Sequence, residues 1–270
     1  MTTTDIQSLK STQIAALSQT GIEALDSTQV DALLTSQVKA LTATQFGYFT
    51  TSQLVFDAAQ LAVLSSAQLQ ALNTDNFLAL DTTQIQALST TQIRALTTTQ
   101  LAALDVADVG EFTSTQLGAL NATQLRSITT TNLDALTTTQ IGGFTSTLIQ
   151  ALDTTQTQSL SSTFIGALSS TQAKGFTSTQ ISALDETQAG ALTSTAIGAL
   201  FTTQVAALST TALNALDTTQ TQALTAVQVA GLTTTQIGSL DTSDIADFTT
   251  TQVKALTATQ LKSLSTTNLN

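Results

Sequence analysis

Asp81-Thr82-Thr83-Gln84-Ile85-Gln86-Ala87-Leu88 is followed directly by Ser89-Thr90-Thr91-Gln92-Ile93-Arg94-Ala95-Leu96 and then by Thr97-Thr98-Thr99-Gln100-Leu101-Ala102-Ala103-Leu104. The pattern [T/S/D/N]-T-T-Q-I-x-A-L has a period of eight residues, and a repeat has to be recognised before anything else, because missing it mistakes the whole fold. Octads begin at Thr2 and run to Phe49; a shortened unit of seven residues, Thr50 to Phe56, follows; octads resume at Asp57 and run to Leu264; a partial unit fills 265–270. The expected organisation is a single octapeptide-repeat array over residues 1–270, with its regularity broken at 50–56 by a bend or tightened turn. Neither end shows a clear capping repeat.

Each column of the octad has its own character. Position eight is Leu, Phe or Ile throughout, from Leu9 and Leu17 to Leu256 and Leu264, and must be buried. Position five is nearly always Ile, Val, Leu or Phe, with polar lapses at Thr157 and Thr221 and small ones at Ala173 and Ala189. Position seven is mostly Ala, sometimes Ser or Gly, which suggests a contact too tight for a larger side chain. Position six accepts Lys39, Gln86, Arg94, Asp134, Gly142 and Lys174, a tolerance that marks the solvent side. Leu136→Asp is therefore expected to open a defect, and a change at Asp134 to be nearly silent. A longer order lies above the octad: Phe-Thr-Ser-Thr recurs at 112–115, 144–147 and 176–179, a spacing of 32 residues. Either blocks of four octads were duplicated, or four (or two) octads complete one geometrical turn.

The first column decides between helix and strand. It holds Thr, Ser, Asp or Asn almost throughout, with Lys10, Leu34 and Phe201 as exceptions. These side chains carry an oxygen that accepts from the free N–H groups of a helix's first turn. Gln follows three residues later, which completes a capping box, and the apolar residues before the cap and four after it form a hydrophobic staple. Each helix then has room for about two turns, roughly 10 Å, too short to be stable alone in water, so its stability must come from stacking on its neighbours. The expected fold is all-α, a solenoid or superhelix of very short capped helices, one per octad. The alternative is a β-solenoid, favoured by the β-branched Thr and Ile but lacking Gly or Asn-Gly turn signals. Third-column Thr (Thr83, Thr91, Thr99, Thr115, Thr123, Thr131) is kept uniformly; its hydroxyl either bonds the local backbone of the first turn or forms a functional row.

Composition narrows the function. There is no Cys, His, Trp or Pro, and acids exceed bases 18 to 7 for a net charge of −11. Thiolate metal sites, disulfides and thiol redox chemistry are excluded, and nucleic acid is not expected as a partner because its phosphates need clustered Lys and Arg. No apolar stretch approaches the roughly 20 residues that span a bilayer, so membrane insertion is not expected, and the first residues carry no signal peptide. Carboxylates are the only candidate catalytic groups. Asp105, Asp108 and Glu111 form one acidic patch, and Asp241, Asp244 and Asp247 another of the same spacing. In each, the first Asp is a cap, the second replaces Gln in the capping box, and the third acid falls in the small seventh column. A Ca²⁺ site is conceivable from such acids, yet a structural role accounts for them. Ser and Thr abound, but no His exists to activate them as nucleophiles. No catalytic, cofactor-binding or metal-binding residue is therefore assigned, no cofactor is expected, and the chain is read as not an enzyme.

The Thr-Thr-Gln-Ile-x-Ala-Leu octads resemble, over essentially all 270 residues, the low-complexity tracts of very large bacterial secreted or surface proteins. That resemblance implies an extracellular or cell-surface spacer or adhesive tract and transfers no site residues; a cytoplasmic protein is the alternative. The functional expectation is a structural stalk, spacer or filament-forming subunit, with end-to-end self-association of open ends. The second expectation is a module that binds a protein, glycan or ice surface through its Thr rows or a concave face.

Overall fold

A computed structural model describes residues 1–265. Each full octad forms one α-helix of four to six residues, and the described residues contain no strand. The fold is all-α, and the β-solenoid alternative is excluded.

The helix Thr82–Ala87 shows why. Asp81 is extended (φ −80°, ψ 172°) and its carboxylate accepts from Gln84 N–H at 2.9 Å, while Gln84 Oε1 accepts from Asp81 N–H at 2.9 Å. Leu88 returns to extended backbone (φ −70°, ψ 128°) as its N–H closes a last bond to the Ile85 carbonyl at 3.1 Å. Ser89 then caps the next helix, Thr90–Ala95. The helix ends because a better start lies just ahead, and no described residue needs a positive φ to turn the chain. Lys10, Leu34 and Phe201 have no side-chain oxygen to offer, but the Gln half of the box survives: Gln13, Gln37 and Gln204 accept from their cap N–H groups at 2.8, 2.8 and 2.6 Å.

The chain divides into two compact units, Met1–Asn132 and Leu133–Asn270. In the first, each helix packs on the helix three octads later, as Ser66–Ala71 does on Thr90–Ala95 and Thr98–Ala102 on Ala122–Ser127. The second unit repeats this with Ser170–Ala173 on Ser194–Ala199 and Ser194–Ala199 on Thr218–Ala223. Each unit is thus a helical solenoid with a core built from columns five and eight. Ile93 and Leu96 are 0% and 4% exposed in the first unit, Ile197 and Leu200 0% and 4% in the second. The lapses are absorbed: Ala173 and Ala189 are fully buried, and the buried Thr157 hydroxyl donates to the Asp153 carbonyl one turn back at 2.8 Å.

The shortened unit lacks a seventh-column residue. It forms a 3₁₀ helix, Thr51–Gln53, which is the tightened turn expected there. Phe46, Phe49 and Phe56 fill the space around it, with ring centres 5.5 to 5.6 Å apart. Of the partial unit at 265–270, all but Ser265 lies outside the described residues. The fifth column loses its cover just before it, since Val253 is 44% and Leu261 41% exposed. No described helix is long and apolar enough to cross a membrane.

Candidate functional site

The side chain that recurs with a chemical task is the fourth-column Gln, and the task is larger than capping. From Gln37 onward these glutamines are buried. While Oε1 of Gln92 accepts from the Ser89 N–H at 2.8 Å, its Nε2 donates to the Leu61 and Leu64 carbonyls at 2.8 and 3.0 Å. Gln116 and Gln124 do the same to Ile85 and Leu88, and to Ile93 and Leu96, at 2.7 to 2.9 Å. In the second unit Gln180 bonds Ile149 and Leu152, and Gln228 bonds Ile197 and Leu200, at 2.7 to 3.0 Å. The acceptors belong to columns five and eight of the octad four units earlier. The column-eight carbonyl is one that the helix leaves open at its C-terminus, and the column-five carbonyl takes the amide as a second donor beside the column-eight N–H, so one amide closes the start of its own helix and the end of another. With packing at three octads and amide bonds at four, one turn of coil in each unit takes between three and four octads.

Sequence reasoning saw only half of this residue. The signal was present: Glu would close a capping box as well as Gln, yet no fourth-column position holds Glu. A buried carboxylate has no N–H for the two carbonyls and would be repelled by them. Asn76 and Asn132, one methylene shorter, reach a single carbonyl each, those of Phe49 and Leu104.

The tolerant sixth column is on the solvent side, but its longer members also bind across layers. Gln70, Gln86 and Arg94 donate to the carbonyls of Ala95, Glu111 and Ala119 at 2.8 to 3.2 Å. Asp134 accepts from the Ser161 N–H at 2.8 Å. That bond gives Asp134 a partner on the solvent side, where a substitution is expected to have little effect.

The two acidic patches are built alike. Asp105 accepts from Asp108 N–H at 2.9 Å and Asp108 from Asp105 N–H at 2.8 Å; Asp241 and Asp244 repeat both bonds at 2.9 and 2.8 Å. The third acid reaches back instead: Glu111 accepts from the Thr82 hydroxyl at 3.0 Å and Asp247 from the Thr218 hydroxyl at 2.9 Å. Burial raises the Glu111 pKa, and the carboxylates of Asp108, Asp81 and Asp105 add to the rise while the Thr82 bond opposes it. The Asp241 pKa is lowered by hydrogen bonds from the Ser243 hydroxyl and the Asp244 backbone. Among the described residues no group of three or more acids is arranged to hold a metal ion. Asp108 stays half-exposed where Gln would be buried, because it has no N–H for the octad four units earlier.

Third-column Thr83, Thr91, Thr99, Thr115 and Thr123 are all exposed, and none of these hydroxyls bonds the local backbone. The physical reason is position: the residue four before each lies ahead of the cap, so no carbonyl of a preceding turn stands below the hydroxyl.

Short capped helices tied layer to layer by buried amides define a helical repeat protein whose recurrent chemistry serves stacking. A family model described as the ALTTAQ repeat matches residues 77–114, 109–146 and 197–234, together less than half of the chain, and indicates a repeat family. The first two matches start 32 residues apart, the four-octad interval over which the glutamine bonds run. No curated protein matches the chain.

Proposed function

We propose that the protein is a structural, non-enzymatic repeat scaffold, a stalk, spacer or filament-forming subunit in an extracellular or cell-surface setting. The observation that carries this reading is the buried glutamine ladder. The recurrent amide is consumed in capping its own helix and holding layers together, and the acids of both patches are taken up in caps or in bonds to Thr82 and Thr218, so none of these groups is left to perform chemistry on a substrate. The same bond supports assembly of copies: the exposed Gln13 amide donates to no carbonyl of the described residues, and the fifth-column Val253 and Leu261 are 44% and 41% exposed. Light scattering across a concentration series tests the filament version. Mass should rise with concentration and fall back in Val253→Asp; a monomer at every concentration would remove it.

A second reading is supported by the unbonded third-column hydroxyls, which are free for a flat hydrogen-bonding partner such as ice or a glycan. An ice-recrystallisation assay separates the ice branch, since inactivity at high protein concentration would eliminate it.

A further inference from the structure

One departure from the repeat, Phe201, meets Lys174 and Gly175 at one place in the second unit. Phe201 occupies the first column, makes no side-chain cap bond, and leaves its ring 57% exposed. The helix Thr202–Val205 starts without it, because Gln204 still accepts from the Phe201 N–H. An aromatic ring in this column therefore does nothing for the helix and gives up the bond that Ser or Thr would make. Lys174, in the sixth column four octads earlier, sets its ammonium 5.8 Å from the centre of that ring. Next to it, Gly175 lies so close to the Ser146 backbone that a Cβ would overlap the Ser146 carbonyl. The glycine lets the two backbones pack closely, and beside them lies a groove of about 530 Å³ walled by Lys174, Phe201, Gln150, Thr171 and Thr203.

The chemistry of these walls is specific. The ring offers a half-open π face to C–H groups and cations. Gln150, Thr171 and Thr203 offer an amide and two hydroxyls, suited to a partner rich in hydroxyls. No carboxylate borders the groove, so its charge is the one ammonium of Lys174, unmatched within a chain of net charge −11. An extended peptide would look for open backbone groups, but the nearby Lys174 and Phe176 carbonyls already accept from Gln204 at 3.2 and 2.6 Å. A few convergent polar groups beside an apolar surface is the usual make-up of a small-molecule site.

We propose that this groove binds an acidic saccharide, a pyranose carrying a carboxylate, with the C–H face of the sugar on Phe201 and its carboxylate on Lys174 Nζ. The site goes beyond the scaffold role and would give a stalk or spacer one defined point of attachment.

The test is calorimetric titration of the full chain at low salt with a hexamer of α-1,4-linked galacturonate, beside the same hexamer fully methyl-esterified. The acid form binds, and esterification weakens it at least tenfold. Lys174→Gln and Phe201→Ser each weaken it at least tenfold, whereas Lys254→Gln, a lysine of the same column elsewhere in the unit, binds as the parent does. Phe201→Ser restores a capping residue, so its Tm should equal or exceed the parent's and misfolding cannot explain its loss of binding. No binding, equal binding of the esterified hexamer, or parent-like binding by Lys174→Gln or Phe201→Ser would each overturn the proposal.

Discussion

Gln92 joins two helices that are four octads apart, and its neighbours on the ladder show that the amide has to be an amide. Removing it in Gln92→Ala leaves the Ser89 N–H and the Leu64 carbonyl open in a buried place, each unsatisfied group costing about 1–3 kcal/mol, while the Leu61 carbonyl keeps its bond from the Leu64 N–H. The more discriminating change is Gln92→Glu. Burial and the facing Leu61 and Leu64 carbonyls favour the protonated acid, so the folded-state pKa should lie above the roughly 4.3 of an unfolded Glu. Stability is then complete below that pH and is lost as pH rises through the folded-state pKa. Urea unfolding should find Gln92→Glu weaker than Gln92→Ala at pH 7 and near the parent at pH 3.5; a flat difference across pH would contradict the two-carbonyl geometry. Glu111 carries the natural version of the effect. Its pKa is raised chiefly by burial, so the folded state loses stability as pH rises through that pKa. Glu111→Gln keeps an oxygen for the Thr82 hydroxyl, and its Tm should exceed the parent's at pH 7, with the gain vanishing in acid.

An octad is stable only by virtue of its cap and its layer. Leu34 occupies a cap position without an acceptor and is 46% exposed; Leu34→Asp should therefore stabilise the first unit by about 0.5–2 kcal/mol in thermal or urea unfolding. Leu136, 5% exposed in column eight, is the opposite case, and Leu136→Asp should open a local defect visible as lost amide-exchange protection in octads three and four units away. Asp134→Ala removes one solvent-side bond to Ser161 and should cost only about 0.5–1.5 kcal/mol. At the shortened unit, Gln84 bonds the Leu54 and Phe56 carbonyls, 30 and 28 residues back, instead of the usual 31 and 28. Inserting one Ala after Val55 supplies the missing seventh-column residue and restores that interval. The 3₁₀ turn should become α-helical, with a small gain in far-UV ellipticity at 222 nm; a lower Tm would show that the Phe46, Phe49 and Phe56 cluster depends on the deletion.

For the molecule as a whole, the excess of 18 acidic over 7 basic residues makes self-repulsion a standing cost of each compact unit. Salt screens such surface charges over a Debye length of about 10 Å at 0.1 M, so Tm should rise between low and physiological ionic strength. A Tm that fell would mean that attractive charge pairs outweigh the repulsion. Because layers touch only near neighbours, a defect in one octad should stay local, as in other repeat arrays.

The sequence by itself determined the period, the caps, the all-α class and the two buried columns. Those properties are local or strictly periodic: a cap and its Gln lie three residues apart, and columns five and eight fall on one face of a short helix. It also showed that the acids at Asp105, Asp108, Asp241 and Asp244 belong to helix starts. Only the tertiary structure decided that a turn takes between three and four octads, that Gln92 and its counterparts reach back four octads, and that Asp134 has a partner. It alone brought Lys174, Gly175 and Phe201 to one groove. These depend on how far the chain advances in each turn of coil, a small angle accumulated over several helices that no single octad encodes. A Glu-free fourth column was the one trace of it in the sequence, since a side chain that must both accept and donate in a buried place has to be an amide.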